Sequence, residues 1–180
     1  APAPDDAYWH PHGAWLRPAH LVRALLDHPN IHWQGHAKVD TLKHTDCKWQ
    51  LIQGRTVLAE SSRVVLAAGP GSTALIATAT EDGRAPRINP LRGQVSWGLM
   101  ADVPEGSHMP ATPVNGNGSF VYNIPSSNGL AWYTGATYDR IHSDARLLDH
   151  DHVENLERLK ALEPDTAAAI APLFASVGTH

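Results

Sequence analysis

Cysteine is nearly absent from this 180-residue chain, where Cys47 stands alone. A single thiol excludes a disulfide scaffold and a cysteine-rich zinc site. No apolar run approaches the roughly 20 residues that a bilayer-spanning helix needs, so no membrane partner is expected. Clusters of Lys or Arg are also missing. Fourteen basic residues stand against eighteen acidic ones, for a formal charge of −4. A nucleic-acid binder usually carries a basic stripe, so any such surface is expected mainly outside this segment. The first residues have neither a basic start nor an apolar core, so no secretory signal is expected, and the expectation is a soluble, cytoplasmic protein. Apolar residues still make up 42% of the chain, enough for a real core at this length.

The patterning changes along the chain. Residues 1–17 lack any period and read as loop. Leu21, Val22, Leu25 and Leu26 share one helical face, with Pro18 suited to a first turn and His28-Pro29-Asn30 to a stop. Short β-like runs follow at Ile31–Gly35, Ala37–Leu42, Trp49–Ile52 and Thr56–Ala59, predicting an antiparallel meander. The continuous apolar run Val64–Ala68 predicts a strand buried on both faces. A helix is expected over Thr73–Thr80, an interrupted strand over Ile88–Met100, and a long loop over Asp102–Ser119. Phe120–Ile124 and Leu130–Tyr138 form a candidate hairpin. Leu148, His152, Leu156 and Leu159 predict a helix, and Thr166–Phe174 a second one capped by Asp165.

Four features could carry chemistry. Gly69-Pro70-Gly71-Ser72-Thr73-Ala74 matches G-x-G-x-x-A between a strand and a helix. Pro70 removes one N–H from any phosphate cradle, however, and no acidic ribose partner follows about 20 residues on. A tight turn is the plainer reading. Seven of the twelve histidines fall within residues 1–44, and His10-Pro11-His12 and His150-Asp151-His152 could chelate a metal. Neither has helical ligand spacing, so no metal site is expected. In Leu91-Arg92-Gly93-Gln94-Val95-Ser96, alternation puts Arg92 and Gln94 on one face, where they could offer a cation and an amide to a cavity. The plainer alternative is an edge strand with solvated polar residues. Last, the aromatic hairpin puts Trp132, Thr134 and Ala136 on one face and Tyr133, Gly135 and Thr137 on the other. It could be core or the wall of a pocket for a flat ring.

The order of these blocks is more specific than any one of them. Gly13-Ala14-Trp15-Leu16-Arg17-Pro18 leads into the helix; Arg63-Val64-Val65-Leu66-Ala67-Ala68-Gly69 follows the meander. Then come Asn89-Pro90-Leu91-Arg92-Gly93-Gln94-Val95-Ser96 and Tyr133-Thr134-Gly135-Ala136-Thr137-Tyr138-Asp139. Together they resemble the D-amino-acid-oxidase type of FAD-dependent oxidoreductase. Within that type the resemblance is to the oxidoreductase half of the two-function enzymes that modify the tRNA wobble uridine.

The resemblance implies an α+β fold: a mixed, largely antiparallel substrate-domain sheet with helices, plus a β-meander from the FAD domain. Its implied divisions are an entry loop and helix (1–30), part of the FAD domain (31–86), the substrate domain (87–165) and a C-terminal helix and tail (166–180). Implied cofactor contacts are Val39, Ala68, Gly69 and Gly93. Arg92 and Gln94 are the implied catalytic pair, and Tyr122, Tyr133 and Thr134 the implied substrate pocket. The implied reaction removes the carboxymethyl group from 5-carboxymethylaminomethyl-2-thiouridine in tRNA, alongside a methyltransferase domain of the same chain. The family's opening G-x-G-x-x-G and its closing Gly/Arg-rich stretch have no counterpart here. The chain is therefore expected to be an internal piece that does not retain FAD alone. The rival readings are an oxidase of a free amino acid such as glycine or sarcosine, and a non-catalytic ligand-binding domain.

Overall fold

The computed structural model describes residues 8–140, 146–176 and 178–179. Part of the expected N-terminal loop, residues 1–7, lies outside them. The chain divides into two compact units, Ala19–Pro90 and Ala1–Pro18 with Leu91–His180. The fold is α+β, as expected.

In the first unit, helix α1 (Pro18–Leu26) has the predicted apolar face, yet none of its residues is buried. The strand expected at Ile31–Gly35 is absent. Those residues have no ladder partner among the described residues, so their β-like composition has nothing to pair with. The meander begins later than expected, with β1 (Thr41–Thr45), β2 (Lys48–Gln53) and β3 (Thr56–Ser61) in that order across the sheet. Two local features fix that start. Asp46 and Cys47 both have positive φ and close a two-residue hairpin turn between Thr45 and Lys48. Asp40, expected inside a strand, instead accepts the Gly54 N–H at 2.8 Å through its carboxylate.

The apolar run at Val64–Ala68 is not a buried strand. It joins no ladder among the described residues, and Val65 is 90% exposed. Apolar composition alone could not reveal that no strand among the described residues pairs with it. Helix α2 (Gly71–Ala79) starts two residues before the expected point. It closes one edge of the meander, since the Thr78 hydroxyl accepts the Leu42 N–H at 2.9 Å. Leu42 is the one buried apolar residue of this unit among the described residues.

The second unit is built on an antiparallel sheet in the order β5-β6-β7-β4-β8. Its strands are β4 (Val95–Leu99), β5 (Val114–Gly116), β6 (Gly118–Ser126), β7 (Gly129–Gly135) and β8 (Gly178–Thr179). Only Val95–Leu99 of the long expected strand is regular; Arg92 contributes an isolated bridge to Asp139. The expected loop after Asp102 contains β5. The first strand of the hairpin extends past both expected ends, the second stops at Gly135 and not at Tyr138, and the turn narrows to Ser127-Asn128. The described ladders of this sheet are all antiparallel.

Helices α3 (Asp149–Leu162) and α4 (Pro164–Ile170) pack on one face of this sheet. Asp165 lies inside the first turn of α4 and is not its cap, because Pro164 already takes the first helical position. Phe120, Trp132, Leu159, Ala167 and Ile170 form the core, each 1% exposed or less. Trp132 dictates a glycine across from it. A Cβ on Gly98 would lie 2.7 Å from the indole.

Candidate functional site

Arg92, Gln94 and Ser96 point to the same side of the chain by strand alternation, and all three are buried. The solvated-edge alternative therefore does not hold: α3 covers this face. All three nitrogens of the Arg92 guanidinium are engaged by protein. Its Nη1 donates to Asp151 Oδ2 at 2.6 Å, its Nη2 to Gln94 Oε1 at 2.8 Å, and its Nε to the Arg146 carbonyl at 3.2 Å. The Gln94 amide spans the entry to α3, donating to the Leu148 carbonyl and accepting the Leu148 N–H, each at 2.9 Å.

The layer continues along the helix. Asn155 Nδ2 donates to the Gln94 carbonyl at 2.9 Å and to Ser96 Oγ at 3.0 Å. Ser96 Oγ and His152 Nδ1 are 2.7 Å apart. Asp151 and Asn155 are one helical turn apart, so one face of α3 reaches the whole row. Buried polar networks of this kind fix a unique packing when nearly every member is satisfied. Asn155 Oδ1 is the exception, buried without a hydrogen-bond partner. Sequence reasoning missed Asp151, Asn155 and Ser96. Their i,i+4 spacing on a helix facing a polar strand was the available signal.

Gly93 lies on the opposite side and is exposed. A Cβ there would sit 2.7 Å from the Thr137 carbonyl, so close approach of two backbone segments already accounts for the glycine. The same side of β4 and β7 presents Trp97 and Tyr133, half-buried and stacked with ring centroids 6.1 Å apart. Trp97 is a fourth residue the sequence reading did not single out. Thr134 faces the helices instead, buried, with its hydroxyl donating to the Ser119 carbonyl at 3.0 Å. Tyr122 packs against the core and stacks on Phe120 at 6.2 Å. Of the three expected pocket residues, Tyr133 alone is on the Gly93 side.

Val39, Ala68 and Gly69 belong to the other unit. Val39 is half-buried beside the meander, and Gly69 is exposed with φ +55 and open space where a Cβ would be. That leaves its backbone approachable by a flat or anionic group. The start of α2 is a poor phosphate cradle, however. The N–H groups of Gly71, Ser72 and Thr73 bond back to the carbonyls of Ala68, Gly69 and Pro70, and Pro70 has none. Gly69 thus leaves backbone open to a ligand, whereas the Ala68 N–H is held by Ser72 Oγ at 3.1 Å and α2 supplies no pyrophosphate cradle.

No group of three His, Cys, Asp or Glu among the described residues is placed to hold a metal. His152 is held below the usual histidine range, chiefly by burial, with Asp149 and Asp151 pulling the other way. No helix among the described residues is long and apolar enough to cross a membrane.

Comparison with known proteins adds the family. Residues 1–178 match the family described as DAO, FAD dependent oxidoreductase. The chain is 41% identical to the tRNA 5-methylaminomethyl-2-thiouridine biosynthesis bifunctional protein MnmC of Polaromonas naphthalenivorans, covering 94% of this chain and 27% of the relative. The protein of the same name from Paracidovorax citrulli is also 41% identical, over 98% of this chain and 28% of its own length. That of Marinobacter nauticus is 34% identical, over 91% and 24%. The chain thus spans little more than a quarter of the length of the first two.

Proposed function

Since the chain belongs to the DAO family of FAD-dependent oxidoreductases, we propose that it forms part of an enzyme that oxidises a C–N bond in a modified tRNA uridine. The substrate in this reading is 5-carboxymethylaminomethyl-2-thiouridine at the wobble position. Its amine carbon loses a hydride and its nitrogen a proton; water then splits the imine into a primary amine and glyoxylate. When bound, FAD supplies the hydride acceptor. The observation that carries the reading is the 41% identity to two relatives named for 5-methylaminomethyl-2-thiouridine biosynthesis. In this reading the partners are tRNA and a methyltransferase half of the same protein.

The chain's own residues divide the work. In this reading Ala19–Pro90 contributes the FAD side, with Val39, Ala68 and Gly69 lying along the cofactor and Gly69 leaving its backbone open to it. Leu91–His180 contributes the substrate side. Gly93, Trp97 and Tyr133 offer a flat, partly apolar wall on which a base or ring could rest. Arg92 and Gln94 act as positioning residues there. They bond Asp151, Arg146 and Leu148 and so tie the segment leading into β4 to the start of α3. The reading also expects the isolated chain to carry no stoichiometric flavin, since α2 lacks free N–H groups for a pyrophosphate.

The test is a chimera in which this chain replaces the matching segment of the Polaromonas relative. Nucleoside mass spectrometry of tRNA from cells relying on the chimera should show the carboxymethyl group removed. A soluble, flavin-loaded chimera that leaves the nucleoside unchanged, or that oxidises glycine or sarcosine instead, would reject the reading.

A further inference from the structure

In the polar layer the proton of the His152–Ser96 contact can be assigned from the donors around it, although Asn155 Oδ1 beside it is buried without a partner. Asn155 is fully buried, and its amide orientation is fixed by a neighbour. The atom 2.9 Å from the Gln94 carbonyl must be a donor, so it is Nδ2. The second Nδ2 proton then goes to Ser96 Oγ at 3.0 Å. Ser96 is itself fully buried, so its hydroxyl proton has no water to turn to. The nitrogen that remains for it is His152 Nδ1, at 2.7 Å. His152 must therefore accept at Nδ1 and carry its proton on Nε2.

We propose that His152 is a proton-sensitive latch: neutral, it ties the first turns of α3 to Ser96 in β4, and a proton on Nδ1 undoes that tie. With Nδ1 protonated, Ser96 Oγ would receive two N–H groups and its own proton would be buried without an acceptor. An unsatisfied buried hydroxyl is costly enough to break the contact. Asp149 and Asp151 are the charges on the helix that favour the protonated ring. Arg92, from the segment leading into β4, engages Asp151 at 2.6 Å and blunts its pull, while His150 approaches the same carboxylate at 3.7 Å. From β4 itself the groups facing His152 are neutral. Burial and the Ser96 donor therefore prevail, and the latch is closed at neutral pH. Ser96 adjoins Trp97, so its release reaches the Gly93–Trp97–Tyr133 side of the sheet. The inference does not depend on the flavoenzyme reading.

The test is long-range ¹H–¹⁵N NMR of the histidine rings in the full 180-residue chain, titrated between about pH 8 and pH 5. At the upper end His152 should be the Nε2–H tautomer. Its midpoint should lie below the ordinary histidine value, and the Ser96 and Trp97 amides should titrate with the same midpoint. In Ser96→Ala the midpoint should move up toward the ordinary value and the Trp97 amide should lose its titration. An Nδ1–H tautomer, or a Trp97 amide indifferent to the His152 midpoint, would overturn the latch. The wild-type spectra decide this alone if Ser96→Ala does not fold.

Discussion

The two units spend their apolar residues differently. Leu91–His180 sinks Phe120, Trp132, Leu159 and Ile170 into one core and adds a buried polar layer beside it. Ala19–Pro90 buries Leu42 and leaves Leu21, Val22, Leu25, Ile31, Trp33 and Val65 exposed. Hydrophobic burial is the main favourable term in folding, so local stability should follow the same division. The second unit should behave as the rigid frame and the first as the weaker partner, held largely by its ladders and the Thr78–Leu42 bond.

The largest effects should come from breaking the frame. Trp132→Ala should cost about 3–5 kcal/mol in urea unfolding, because a fully buried indole leaves a cavity. Leu25→Ala, on the open face of α1 at 65% exposure, should cost less than about 0.5 kcal/mol. Equal costs would erase the contrast between the units. Asp151→Ala should also cost about 3–5 kcal/mol, since it strands the buried Arg92 charge. Glu157→Ala, in an exposed pair with Lys160, should cost at most about 1 kcal/mol.

Smaller changes sharpen the same comparison. Gly93→Ala should cost about 1–3 kcal/mol by driving a Cβ into the Thr137 carbonyl. In the weaker unit a substitution should help instead. Cys47→Gly relieves a positive φ at the hairpin tip and should raise stability by up to about 1 kcal/mol, read from the urea midpoint. Acidification acts on the frame through His152. In the folded chain its proton affinity is lowered, so the unfolded chain takes up the proton first. The stability it contributes is complete above its ordinary value of 6.5 and is lost as pH falls below that value, which His152→Gln should flatten in urea midpoints measured across that range.

Much of this division was legible in the residues. The apolar face of α1, the last two meander strands, the aromatic hairpin and the α3 periodicity lie where their patterns put them, within a few residues, while the meander's first expected run at Ile31–Gly35 forms no strand. Alternation also set Arg92 and Gln94 on one face. Burial was harder to read. Val64–Ala68 has the composition of a central strand, but composition does not say whether a neighbour is there to cover it. The partners of Arg92 were hidden because Asp151 is 59 residues away. The Asp46-Cys47 turn was hidden for a local reason, since its second residue is not the glycine that usually marks such a turn.

The most direct test of the positioning frame is Arg92→Lys in the flavin-loaded chimera, assayed on tRNA. Lysine keeps the charge but cannot reach Asp151, Gln94 and the Arg146 carbonyl together. With the flavin spectrum intact, kcat/KM for the tRNA should fall by about 100-fold, the scale expected when a reacting group is displaced by about 1 Å. An unchanged kcat/KM would remove the Arg92 network from the working of the site.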